Sequence, residues 1–169
     1  MFNRTIINDL KHWKEQKDRK PLMMLGARQV GKTSVLKRFG RECFEHCVYF
    51  SLDEEAGVCD IFRTTKNPTQ IIEQLSYLTD EPILPEKTLL VLDEIQDCPE
   101  AISSMKYFCE KTPEYAIACA GSLLGLAFGH EGFSFPVGKV DHINMYPVTF
   151  SEFLEQKDSG LYRYYKSID

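Results

Sequence analysis

The sequence contains no apolar segment approaching the ~20 residues that a membrane-spanning helix needs. Residues 1–4 lead into a charged helical stretch without the apolar core of a secretory signal peptide. The six cysteines form no C-x-x-C pair and the four histidines are scattered, so no zinc motif is indicated. The chain also has no excess of positive charge, since its net charge is −5. This charge disfavours bulk electrostatic attraction to DNA or to an anionic membrane. We therefore expect a cytoplasmic protein with reduced thiols, without membrane association and without direct nucleic-acid binding by this domain.

Apolar runs of strand length alternate with amphipathic stretches along a chain that, at 169 residues, fits one domain. The predicted strands comprise residues 21–25, 47–52, 88–92, 115–120 and 140–146. This alternation predicts an α/β doubly wound fold of three layers, in which helices flank a parallel five-stranded sheet.

Capping signals locate several helix ends. Gly40 stands where a helix beginning near Ser34 would end in a left-handed residue. Asn67, followed by proline, is predicted to cap a further helix. Residues 149–152 form a capping box that opens a short helix to about residue 157, and the tail from residue 161 also has helical character. Residues 123–128 are a candidate for one more short helix.

Residues 26–33 match the phosphate-loop pattern G-x-x-x-x-G-K-[ST] at every fixed position, after a predicted strand and before a predicted helix. Glycines 26 and 31 allow tight turns and close approach to an anion, and the loop amides at a helix N-terminus favour phosphate. Lys32 would reach the β- and γ-phosphates, and the Thr33 hydroxyl would bind Mg²⁺. The predicted nucleotide-binding residues are Gly26, Ala27, Arg28, Gln29, Val30, Gly31, Lys32, Thr33 and Ser34.

Two carboxylates, Asp93 and Glu94, follow the apolar run of residues 89–92. A buried strand would deliver them to the carboxyl edge of the sheet, where ligands of open α/β folds bind. Asp93 suits the Mg²⁺ shell, and Glu94 can act as general base for an attacking water. Ser122 follows the next strand and either senses the γ-phosphate or caps a helix. Lys32, Glu94 and Ser122 are the predicted catalytic residues, and Thr33 and Asp93 the predicted metal ligands.

The Asp93–Glu94 pair, which is the second motif of the chain after the phosphate loop, also distinguishes between classes of nucleotide-binding protein. A GTPase would be expected to have Asp-x-x-Gly, but Gln96 occupies the glycine position and no Asn-Lys-x-Asp sequence occurs. A small-molecule kinase would usually lack the second carboxylate. The strand at 47–52 lies between the two motifs, which suits the ATPases whose strand order is 5-1-4-3-2. ATP with Mg²⁺ is therefore the expected ligand.

The chain resembles the AAA-like ATP-binding proteins of bacteria and archaea, which usually carry a further C-terminal domain. The resemblance covers nearly the whole chain and rests on residues 26–33, 93–96, 120–124 and 146–154. It implies a AAA+ or related ATPase core, which we divide into an N-terminal helix (1–20), a nucleotide-binding sheet (21–146) and a helical tail (147–169). The sequence departs from the pattern at Lys139, where many similar proteins have arginine. From the resemblance we also expect these 169 residues to comprise neither the helical lid nor the C-terminal domain.

Two functions follow from these features. The first is an ATPase that turns over slowly in this isolated form, and the alternative is an ATP-gated switch that changes partner contacts with little hydrolysis. An arginine supplied by a neighbour would favour the first, yet no motif fixes an arginine outside the loop near the phosphates. Another copy of the chain, the missing C-terminal domain or another protein are the partners left open.

Overall fold

The computed structural model describes residues 4–122 and 136–168, and its centre is one sheet of five parallel strands. The strands are β1 (Leu22–Leu25), β2 (His46–Ser51), β3 (Thr88–Asp93), β4 (Ala116–Gly121) and β5 (Asp141–Asn144). Their spatial order is β2-β3-β4-β1-β5, which is the predicted order 5-1-4-3-2 seen from the other edge. The expected α/β fold with a parallel sheet between helices is therefore confirmed.

Helices cover both faces of the sheet. They are α1 (Ile6–Glu15), α2 (Lys32–Cys43), α3 (Ala56–Thr64), α4 (Pro68–Ser76), α5 (Pro99–Lys111), α6 (Phe150–Lys157) and α7 (Ser159–Ser167). α1 and α2 bury Leu10 and Phe39 against one face, and α3 to α5 bury Phe62 and Phe108 against the other. Every residue of β3 is buried, as expected for a parallel strand covered on both sides.

The predicted helix end at Gly40 is wrong, because α2 continues to Cys43. Gly40 lies inside the helix, where a Cβ atom would be 2.3 Å from Sγ of Cys47 on β2. The glycine is needed for close packing of α2 on the sheet and not for a left-handed conformation. A local sequence pattern does not distinguish these two requirements.

Other helix predictions have mixed outcomes. The Asn67 side chain accepts a hydrogen bond from the Thr69 amide (3.1 Å), and the capping box at Thr149 has both of its bonds, so these two caps are confirmed. α3 is a helix that the sequence analysis does not predict. The candidate helix at 123–128 lies outside the described residues. None of the helices within the described ranges is long and apolar enough to cross a bilayer.

Candidate functional site

The carboxyl edge of the sheet brings both sequence motifs together. β1 leads into the phosphate loop, β4 lies next to β1 and ends before Ser122, and β3 lies next to β4 and ends at Asp93. Because the strands are parallel, the residues that follow them meet at the same edge. The predicted site residues of the loop and of the two strand ends are thus neighbours in space.

The phosphate loop has the backbone geometry that its glycines permit. Gly31 has a φ of +95° and precedes the first residue of α2, so a left-handed conformation turns the chain into the helix. Gly26 lies against the chain after β5, where a Cβ atom would be only 2.3 Å from the Met145 carbonyl oxygen. The Met145 amide in turn donates to the Leu25 carbonyl (2.6 Å), which holds this segment beside the loop.

Lys32 is buried, with only 6% of its surface exposed. Its ammonium group donates to the carbonyl oxygens of Gly26 (2.9 Å) and Ala27 (2.7 Å), at the beginning of the loop. Burial lowers the pKa of Lys32, while the nearby negative charges of Glu94 and Asp93 oppose this effect. The cation is therefore held inside the loop and close to both carboxylates.

Asp93 is the centre of the predicted metal site. One carboxylate oxygen, Oδ2, accepts hydrogen bonds from the Thr33 hydroxyl (2.5 Å) and from the Tyr49 hydroxyl (3.2 Å). The other oxygen accepts the Glu94 amide at 3.0 Å. The two predicted metal ligands, which are 60 positions apart in the sequence, are thus in direct contact. Their hydroxyl and carboxylate oxygens fit Mg²⁺, which takes few protein oxygens beside water and phosphate.

Tyr49 is a site residue that the sequence interpretation missed. It lies on β2, and the centroid of its ring is 3.3 Å from Nζ of Lys37. Burial raises the pKa of Tyr49, so the hydroxyl remains a donor to Asp93. The signal available in the sequence was weak, because an aromatic residue in a strand is ordinarily part of the core.

Glu94 is held in an uncommon backbone conformation, with φ 48° and ψ 44°. Its Oε2 atom accepts hydrogen bonds from the Gln96 amide group (2.6 Å) and from the Ser122 hydroxyl (3.4 Å). Ser122 also accepts a bond from Nε of Arg28 at 3.3 Å. A left-handed conformation of a residue other than glycine costs ~1–3 kcal/mol and often accompanies function. Gln96, to which the sequence analysis assigns no role in the site, orients this carboxylate.

A cavity of about 240 Å³ opens beside the loop. It is lined by Arg4, Gln29, Val30, Gly31, Ser34, Val35, Met145 and Val148. Four of the predicted binding residues, Gln29, Val30, Gly31 and Ser34, therefore line a space beside the loop.

Comparisons with known proteins agree with this fold. Similar solved structures include the replication initiator DnaA bound to AMPPCP and single-stranded DNA, with a TM-score of 0.53, 18% identity, and 92% of this chain and 50% of that chain covered. PCH-2 from C. elegans has a TM-score of 0.53 at 12% identity, with 97% and 49% covered. AMPPCP-bound DnaA from Aquifex aeolicus has a TM-score of 0.50 at 15% identity, with 90% and 48% covered.

The chain thus spans about half the length of these three structures, and at such low identity the likeness concerns the fold alone. No curated protein has a significantly similar sequence. The family model described as AAA domain, in contrast, matches residues 18–154, which include the phosphate loop, Asp93 and the capping box at Thr149. This chain therefore belongs to the AAA domain family and is a nucleotide-binding P-loop ATPase domain.

Proposed function

We propose that this domain binds Mg-ATP at the phosphate loop and hydrolyses it to ADP and phosphate, slowly when the domain is isolated. The observation that carries the proposal is the contact between Thr33 and Asp93, which joins the phosphate loop to the end of β3 beside Lys32 and supports a metal site there. Family membership supports nucleotide binding as the general function.

Each side chain has a role that its contacts support. Lys32 would move from the loop carbonyls to the β- and γ-phosphates, and Thr33 and Asp93 would hold Mg²⁺. The bound metal would neutralise charge on the β- and γ-phosphate oxygens. The Glu94 carboxylate, kept in place by Gln96 and Ser122, would orient a water and accept its proton. The cavity beside residues 29–34 would accommodate the rest of the nucleotide.

Slow turnover is expected because no motif fixes a charge-stabilising arginine near the transferred phosphate. Such an arginine raises the rate of phosphoryl transfer ~10³–10⁵-fold. Within residues 4–122 and 136–168, Arg28 of the loop is the arginine that contacts a predicted catalytic residue, since its Nε donates to the Ser122 hydroxyl. Arg163, which only a neighbouring subunit would present, donates to its own helix at Ser159. Lys139 precedes β5 at the opposite edge of the sheet and pairs with Glu110 (2.9 Å). A second copy of the chain, a C-terminal domain or another protein is therefore the proposed source. If the source is a separate chain, turnover per chain should rise with the concentration of that partner.

The test of binding is Lys32→Ala, with titration of ATP and GTP in the presence and absence of Mg²⁺. We expect ATP binding to be severely weakened, because the buried cation at the loop is lost. The exposed Lys66→Ala is a matched control that should bind ATP like the wild type. Unchanged ATP affinity in a folded Lys32→Ala protein would overturn the assignment of the loop.

Glu94→Gln separates the ATPase from the alternative, an ATP-gated switch with little hydrolysis. The amide keeps the shape of the side chain but cannot take a proton, so ATP should still bind while turnover collapses. Phosphate release measured in single turnover provides the readout. If phosphate release continues at the wild-type rate, Glu94 is not the general base, and hydrolysis does not depend on the Glu94 carboxylate.

A further inference from the structure

Arg4 and Glu152 form a buried ion pair beside the phosphate loop, although they are 148 positions apart in the sequence. Their side chains are 8% and 4% exposed, and Nε of Arg4 lies 3.3 Å from the carboxylate. Such a pair has little access to water and therefore depends on its hydrogen bonds.

The Arg4 guanidinium contacts three separate parts of the chain. Besides Glu152 on α6, its Nη1 donates to the Val30 carbonyl of the phosphate loop at 3.1 Å. Its Nη2 donates to the Tyr146 carbonyl, in the segment that joins β5 to α6. One planar group with a fixed fork of donors thus fixes the position of the loop relative to α6.

The Glu152 carboxylate is equally well connected. One oxygen accepts the Thr5 amide (2.9 Å) and the Thr5 hydroxyl (3.0 Å) at the start of α1, and the other accepts the Thr149 amide (2.9 Å). The charge is therefore satisfied from α1, from α6 and from Arg4. Losing it would leave a buried cation unpaired at the loop.

The bond to Val30 has a geometric consequence for the loop. A trans peptide holds its carbonyl and its following N–H in opposite directions. Because Arg4 fixes the Val30 carbonyl on its own side, the Gly31 amide has to point away from Arg4. Gly31 immediately precedes α2, so its amide is one of those expected to bind phosphate at the helix N-terminus.

We propose that the Arg4–Glu152 pair is a positioning element that holds the Val30–Gly31 peptide in its phosphate-binding orientation and thereby links nucleotide affinity to the placement of α6. The inference rests on the proposed binding of ATP at this loop. Neither residue has to touch the phosphates. A force or partner that displaced α6 would weaken nucleotide binding through this pair.

The test compares Arg4→Gln and Glu152→Gln with Arg19→Gln. Arg19 is a matched control, because it is also 8% exposed, donates to the carbonyls of Lys14 and Glu114 and pairs with a carboxylate. Melting temperature and dissociation constants for Mg-ATP and Mg-tripolyphosphate are measured for each protein at a temperature at which it is folded.

Tripolyphosphate carries no nucleoside that could enter the cavity that Arg4 lines. We expect Arg4→Gln and Glu152→Gln each to raise both dissociation constants about tenfold, a loss typical of residues that orient a binding group. The double variant should lose no more than the worse single variant, because the two residues act as a unit. Arg19→Gln should lower the melting temperature and leave both constants unchanged.

Several outcomes would overturn the inference. Arg4→Gln could weaken ATP binding but not tripolyphosphate binding, which would make Arg4 a direct contact of the nucleoside. Arg19→Gln could weaken binding equally, which would reduce the effect to general stability. If Arg4→Gln does not fold, Arg4→Lys keeps a charge for Glu152 but loses the fork of donors, so wild-type affinity in Arg4→Lys would refute the proposal. Absence of binding in the wild type would instead refute the proposed function itself.

Discussion

Replacing Glu152 by Gln removes a buried negative charge and leaves a side chain of nearly the same shape. Burial alone would raise the pKa of Glu152, but hydrogen bonds from Thr149 and Thr5 and the charge of Arg4 hold it at about 2, against an ordinary value of 4.5. Each pKa unit corresponds to 1.36 kcal/mol, so the ionised carboxylate contributes about 3 kcal/mol to the free energy of unfolding at neutral pH.

The direction of the pH dependence follows from the lowered pKa. The contribution is complete above the unfolded-state value of 4.5 and is lost as the pH falls toward 2. Linkage between the two pKa values gives a loss of about 1 kcal/mol at about pH 4 and about 2 kcal/mol at about pH 3. Since the Gln variant has no ionisable group there, the gap in stability between the two proteins should narrow by these amounts.

Urea unfolding, followed by the fluorescence of the buried Trp13, measures this gap at neutral and acidic pH. The control is Glu86→Gln, because Glu86 pairs with Arg19 but is 62% exposed, and an exposed pair contributes little. Its stability difference from the wild type should be small at every pH. A gap for Glu152→Gln that stays constant down to about pH 3 would refute the reasoning, since linkage requires it to shrink.

Two further changes test contacts that the fold depends on. Gly40→Ala should lower the free energy of unfolding by ~1–3 kcal/mol through overpacking against Cys47, whereas Gly57→Ala, with open space at the Cβ position in α3, should raise it by ~0.4–1 kcal/mol. Equal effects in urea unfolding would contradict the close packing. Tyr49→Phe removes one donor to Asp93, which is worth ~0.5–1.5 kcal/mol, and should weaken ATP binding only when Mg²⁺ is present. An equal loss without Mg²⁺ would show that Tyr49 does not act through the metal site.

The sheet and the phosphate loop were predictable because their signals are local. A buried parallel strand such as β3 is a continuous apolar run, and the loop pattern needs a preceding strand and a following helix, both of which can be found in the sequence. The strand order was predicted from the sequence position of β2, which lies between the phosphate loop and the Asp93–Glu94 pair. Once the strands are parallel, their carboxyl ends lie at one edge, so the proximity of Asp93 to the loop follows from topology.

The remaining features depend on contacts between distant residues. Gly40 satisfies the pattern of a helix end, but its actual constraint is Cys47 on the neighbouring strand. Tyr49 looks like a core residue until the hydroxyl is found beside Asp93. Arg4 is one of several arginines without a motif, and only the folded chain brings it to the Val30 carbonyl. A local pattern cannot contain this information, because the partner residue lies elsewhere in the sequence.

The segment from Tyr146 to Leu154 shows how one residue can meet a local and a distant requirement together. A capping box is satisfied by either Glu or Gln at its third helical position, since either side chain can accept the bond from the cap residue. Glu152 fills that position for Thr149, but it also pairs with the buried Arg4, and this second contact requires a negative charge. The carboxylate in place of an amide is therefore explained by the phosphate loop that Arg4 contacts, and not by the helix that Glu152 caps.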